Sequence, residues 1–179
     1  MSSRTIAYWA TTLTIVTELA SGSVWNLVPI DWIEIQLHHL GFPHFFAYLM
    51  GAWQVAAAIV IIAPGLPLLK EWAYAGSFLL WSGAVVSHLA VGDGLQSWGV
   101  PLVFATLAVA SWLLRPADRR LPQTYRRGTT GQVDTTATPR AWALTLGVLA
   151  VLYIGSIVTL PAVDDVMRQN AVDLGWIDE

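Results

Sequence analysis

The chain has 179 residues, enough for one domain. It is 55% apolar and 12% charged, where soluble domains carry about 25% charged residues. That balance, a net charge of −3 and the absence of cysteine point to an integral membrane protein. They exclude a basic nucleic-acid-binding domain, disulfide staples and thiolate redox or metal chemistry.

A first span is expected over residues 5–28, opened after Arg4 and stopped by Pro29. One Arg before an apolar run resembles a secretory signal, but Glu18 interrupts a run longer than such signals carry, so a retained span is the better reading. Its second half holds Glu18, Ser21, Ser23 and Asn26. Lipid disfavours that face, which should look into a bundle. Residues 30–40 are too short and polar to span. Ile30, Ile33, Leu37 and Leu40 share one face and Asp31, Glu34 and His38 the other, the pattern of an interfacial helix.

A second span follows over 43–63, with Gly51, Ala52, Ala56, Ala57 and Ala58 for close packing and Gln54 as its polar interior residue. After a Pro-Gly turn at 64–67, residues 72–91 form a stretch without Lys, Arg, Asp or Glu. About 20 helical residues cover the ~30 Å hydrocarbon core. Small residues at helical spacing, Gly83 and Ser87 among them, predict the central packing helix with a neighbour against that face. His88 lies at its far end. A fourth span is expected over 98–114, and a fifth over 141–161. Between them, residues 116–140 continue a basic stretch that holds six Arg from 115 to 140 and almost nothing to bury. Residues 162–179 read as an acidic tail.

The fold expected is therefore an all-α membrane protein: a four-helix transmembrane bundle over 1–115 plus a fifth C-terminal transmembrane helix. Arg4, Lys70 and the arginines of 115–140 fall on one side of the alternating spans, while Asp31, Glu34, Asp93 and the acidic tail fall on the other. The positive-inside rule then puts the N-terminus in the cytoplasm and the C-terminus outside, in a bacterial-type plasma membrane. The arginine loop should attract anionic lipid headgroups, and the bilayer itself is the main partner.

Glu18 and Gln54 sit at matched depth near the midplane, with Asn26 and His88 nearer the outer surface. A carboxylate there costs more than one interhelical hydrogen bond returns, so Glu18 is either protonated or kept for a function. Glu18 and His88 are the candidates for proton transfer. Asn26, Gln54, Trp25 and Trp81 are candidates for ligand binding, all on one outward-opening cavity. The bland alternative is that Glu18 and Gln54 fix helix register by bonding to each other. Glu34 and His38 stand i, i+4 but lack the further ligands of a familiar metal set, so no metal and no intrinsic cofactor is expected. Trp9, Trp72 and Trp112 mark one membrane interface, and Trp25, Trp32 and Trp98 the other.

Several segments together resemble the DoxX-like family of integral membrane proteins. They are Glu18, Ser21 and Gly22 late in the first span, LGFP at 40–43, the turn at 64–67, KEWAYAG at 70–76 and GAVVSHLAVGD at 83–93. The resemblance runs over about residues 7–114 and implies a four-helix membrane bundle; the chain departs from it after residue 115. Some relatives are subunits of membrane oxidoreductases that work with the quinone pool. The function this implies is binding of a quinone-like or other apolar molecule as a subunit of such an oxidoreductase. Two further classes remain open: an intramembrane enzyme using Glu18 and His88 for proton transfer on a lipid or terpenoid, and a non-catalytic assembly subunit.

Overall fold

Ser2 opens the first helix. Its hydroxyl oxygen accepts from the Thr5 N–H at 3.3 Å, satisfying one of the donors a helix start leaves over. The structure, a computed structural model, describes residues 2–28, 30–116, 119–120 and 138–177. They form six helices: α1 (Ser3–Leu27), α2 (Asp31–His39), α3 (Phe45–Ile62), α4 (Pro67–Ala90), α5 (Leu95–Leu114) and α6 (Pro139–Asp173). Among the described residues there is no strand.

The centre is α1, not the helix over 72–91. α1 packs on α3, α5 and α6, whereas α4 packs on α3 and α5 from the outside. Ile15, Val16 and Leu19 meet Ala58 and Ile61 of α3, Ala105 and Ala108 of α5 and Leu149 of α6 in one core. Close approach of α1 and α3 depends on Gly51, where an added Cβ would fall 2.8 Å from Leu27 Cγ and 3.1 Å from Asn26 Cβ. At Gly83 a Cβ would meet nothing within 4 Å, so the interface expected there is not made among the described residues. Ser87 instead returns its hydroxyl to the Gly83 carbonyl of its own helix at 2.9 Å. A small-residue stripe permits approach but does not say which helix uses it.

α3, α5 and α6 are each long and apolar enough to cross a membrane. α1 passes the same test only when joined to α2, from which it is bent by 88°. α4, expected to be an uninterrupted span, starts five residues early, at Pro67, and so takes Lys70 and Glu71 into its first turns. By length and composition alone, three of the described helices can cross a membrane, or four if the bent pair is one span. α2 keeps its expected faces, with Ile30, Ile33 and Leu37 buried and Asp31 and His38 exposed.

The expected acidic tail is largely helix. α6 runs unbroken past Pro161 to Asp173, 35 residues in all. At 1.5 Å per residue that is about 50 Å, longer than the ~30 Å core by roughly 20 Å. Its last turns dock on α2: Leu160 and Val163 pack against the Ile30, Ile33 and Leu37 cluster, and Asp164 Oδ1 accepts from the Trp32 N–H at 3.4 Å.

At the other end cations cap helix C-termini, where carbonyls lack partners. Lys70, fully buried, donates to the carbonyls of Val60, Ile61 and Ala63, with 2.9 Å to Ile61. Arg4 and Arg120 reach the Leu113 carbonyl of α5 at 3.3 and 3.0 Å. Arg115 does not begin a solvated loop. It is 3% exposed, pairs with Glu71 at 2.8 Å and lies over the rings of Tyr74 and Trp112. Most of the arginine loop expected to meet anionic lipid, residues 117–118 and 121–137, lies outside the described residues.

Candidate functional site

Most of the polar residues singled out from the sequence fall at two places rather than one. The first lies between α1 and α3. Asn26 Nδ2 donates to the Gly22 carbonyl at 2.7 Å and to Gln54 Oε1 at 3.1 Å. Gln54 fits here because Gly22 has no side chain; a Cβ on it would stand 2.7 Å from Gln54 Nε2. The Gln54 amide nitrogen donates to no partner among the described residues, and Gln54 lines a cleft of about 360 Å³ between α3 and α4. Leu19, Trp53, Ala57, Trp72 and Leu80 give it apolar walls. Ser77 adds a hydroxyl whose own proton goes to the Ala73 carbonyl at 2.8 Å.

The second place is the end of the molecule where α2, the end of α4 and the end of α6 meet. It begins with the way α4 stops. Gly92 takes φ +86°, a region open to glycine, and lets the chain fold back so that the Asp93 N–H reaches the His88 carbonyl at 3.0 Å. The same turn swings the Asp93 carboxylate onto His88 Nδ1 at 2.6 Å. His39, from α2, donates through Nε2 to the same carboxylate at 2.9 Å. With its Nδ1 proton directed at Asp93, His88 presents Nε2 as an acceptor, and Gln36 Nε2 lies 3.3 Å from it. Burial by itself would raise the Asp93 carboxyl. The hydrogen bonds from His88 and His39 outweigh burial and hold it below its usual range.

Trp176 covers this cluster. α6 ends in the same type of turn, with Gly175 at φ +70° after the helix, which points the next residue back over the helix. The indole stacks on Trp32, His39 and His88, with ring centroids at 5.0, 4.7 and 5.6 Å and interplanar angles of 27°, 18° and 16°.

The candidates from the sequence are therefore divided. Asn26 and Gln54 meet. His88, 2% exposed, belongs to the other cluster. Ser77, which lines the cleft with Gln54, is eleven residues before it on α4, about 16 Å of helix. Glu18 is half-buried on the flank of α1 and makes no hydrogen bond or ion pair among the described residues. The register pair that the alternative reading put between Glu18 and Gln54 is made by Asn26 instead. Trp25 packs in the cluster around Ile33 and Leu37, its buried Nε1 without a partner. Trp81 turns toward α5 and stacks on Phe104 at 5.4 Å, away from the cleft. His44, on the surface, pairs with Glu34 at 2.7 Å. Among the described residues no three His, Asp or Glu side chains are grouped as metal ligands.

Sequence reasoning passed over Asp93, Gln36 and Trp176. A signal for the first existed: a His five residues before an Asp, with Gly between them at a helix end, is the spacing of this turn. Nothing local marks Trp176.

The family model described as the DoxX-like family matches residues 10–111, more than half of the 179-residue chain. No curated protein matches the chain. No solved structure matches it either. The matched segment holds α1 from its second turn through most of α5, with both polar clusters except Trp176. With its long apolar helices and this match, the chain is an integral membrane protein of the DoxX-like family.

Proposed function

We propose that this protein binds an apolar, quinone-like molecule in the cleft between α3 and α4 and so serves as a ligand-holding subunit of a membrane oxidoreductase. The observation that carries this reading is the Gln54 amide. A donor without a protein partner among the described residues, open to an otherwise apolar cleft of about 360 Å³, suits a ligand with a carbonyl on an apolar body. Binding is favoured over proton transfer by Glu18 and His88, because His88 is engaged by Asp93 and no contact among the described residues joins it to Glu18.

Gln54→Leu removes that donor. A single neutral hydrogen bond contributes about 1 kcal/mol, so the Kd for a short-chain quinone, read from quenching of tryptophan fluorescence, is expected to rise roughly fivefold. An unchanged Kd, or no quinone binding by the parent protein, would favour the assembly role instead.

The same reading has five crossings of a bacterial plasma membrane, N-terminus in the cytoplasm and C-terminus outside. Its support is that Arg4, Lys70, Arg115, Arg119 and Arg120 gather at one end of the helices, and Asp93 and Asp164 at the other. The chain has no cysteine, so Ser3→Cys and Asn170→Cys can each be labelled singly with a membrane-impermeant maleimide. Labelling of Asn170→Cys alone in intact cells is expected. Equal labelling of both would rule out an odd number of crossings.

A further inference from the structure

We propose that the end of the molecule bearing His39, Asp93 and His88 is a second binding site, for a flat aromatic ring with acceptor atoms at its edge, and that the chain's own Trp176 occupies it. This does not rest on the quinone reading of the α3–α4 cleft.

The walls are built without Trp176. Asp93 fixes both imidazoles, at 2.9 Å to His39 and 2.6 Å to His88, so these rings are held in place before any ligand stacks on them. Trp32, on α2, supplies the third ring. Three ring faces within 27° of parallel to one indole define a slot for a planar molecule.

Trp176 fills the slot incompletely. Its indole N–H makes no hydrogen bond among the described residues, so stacking alone holds the ring. The Gln36 amide nitrogen at the edge has only its 3.3 Å contact to His88. A ring carrying an oxygen or nitrogen acceptor there would use a donor that indole leaves idle.

The cover is also weakly tied. Apart from packing, the end of α6 is joined to α2 by the 3.4 Å bond from the Trp32 N–H to Asp164 and by an exposed pair between Arg168 and Asp31 at 3.9 Å. Exposed pairs of this kind contribute little. Trp32, Gln36, His39, His88 and Asp93 all lie in the segment the family model matches, residues 10–111, and Trp176 lies beyond it. The cover is thus attached to the chain outside the part that builds the slot.

The test uses the full chain in detergent with 1-naphthol as probe and the imidazole ¹⁵N resonances of His39 and His88 as readout. Trp176→Ala should bind 1-naphthol about tenfold more tightly than the parent, because no internal ring competes. Adding Trp32→Ala should abolish that gain, and adding Gln54→Leu should leave it intact. In the parent protein, 1-naphthol should speed trypsin cleavage after Arg168 several-fold as the end of α6 is displaced. Equal affinity in Trp176→Ala and parent, with both imidazoles still resolved, overturns the proposal. If Trp176→Ala does not fold, cleavage of the parent that is insensitive to 1-naphthol overturns it.

Discussion

Lys70→Met should lower the stability of the bundle by about 3 kcal/mol, less than the sum of its hydrogen bonds at about 1.5–3 kcal/mol each because the cost of burying the ammonium is removed with it. The ammonium is fully buried and serves the carbonyls of Val60, Ile61 and Ala63, where α3 ends. Met fills similar space but donates nothing. Among the described residues Arg119 can compensate in part, since its Nη1 already reaches the Ile61 and Ile62 carbonyls at 3.3 and 3.4 Å. For a chain of this size each kcal/mol shifts Tm by about 2–4 °C, so thermal unfolding in detergent should move down by about 6–12 °C. Lys70→Arg should recover only part of this, because a planar fork does not converge on one point as an ammonium does. A shift no larger than that of Arg140→Ala, an exposed position, would mean that the cap adds no stability.

Asp93→Ala should loosen the opposite end and remove its response to acid. One carboxylate, 11% exposed, accepts from both His39 and His88. Loss of two charge-assisted bonds, with His88 left buried, predicts a cost of about 2–3 kcal/mol. The sign of the pH effect follows from the direction of the shift. The folded carboxyl is held below its ordinary value of 3.8. Its stabilising contribution is therefore complete above that value and is lost as pH falls through the lower, folded one. In the parent protein, near-ultraviolet dichroism from the stacked Trp32 and Trp176 should be steady at neutral pH and collapse only in acid below the ordinary carboxylate value. In Asp93→Ala the signal should be weak already at neutral pH and show no acid step. An acid transition that survives the substitution would place the responsible group elsewhere.

Much of the architecture is written locally. The alternation of Ile30, Ile33 and Leu37 with Asp31 and His38 defines the buried and exposed faces of α2, because side chains at helical spacing share a face wherever the helix docks. The gathering of Arg4, Lys70, Arg115, Arg119 and Arg120 at one end follows from charge and span length alone. Depth along α1 and α3 was legible only in part: it matched Gln54 to Glu18, whereas Gln54 bonds to Asn26, which the same count put nearer the outer surface.

Partners that depend on which helices adjoin were not legible. Small residues in α4 and in α3 look alike in sequence, yet Gly51 is crowded by Leu27 and Gly83 faces open space. A glycine removes an obstacle without supplying an attraction, so only the packed bundle decides that α1 is the hub. Lys70 read as a flanking charge because composition cannot show that the preceding helix ends beside it with carbonyls to spare. The last segment makes the point most fully. Its acidic residues suggested a tail, while α6 continues through Pro161 and carries Trp176 onto His39 and His88, more than eighty residues away in the chain. Periodicity and charge act over a few residues and survive in the sequence. Contacts between distant segments depend on the whole path of the backbone, and only the tertiary structure contains that path.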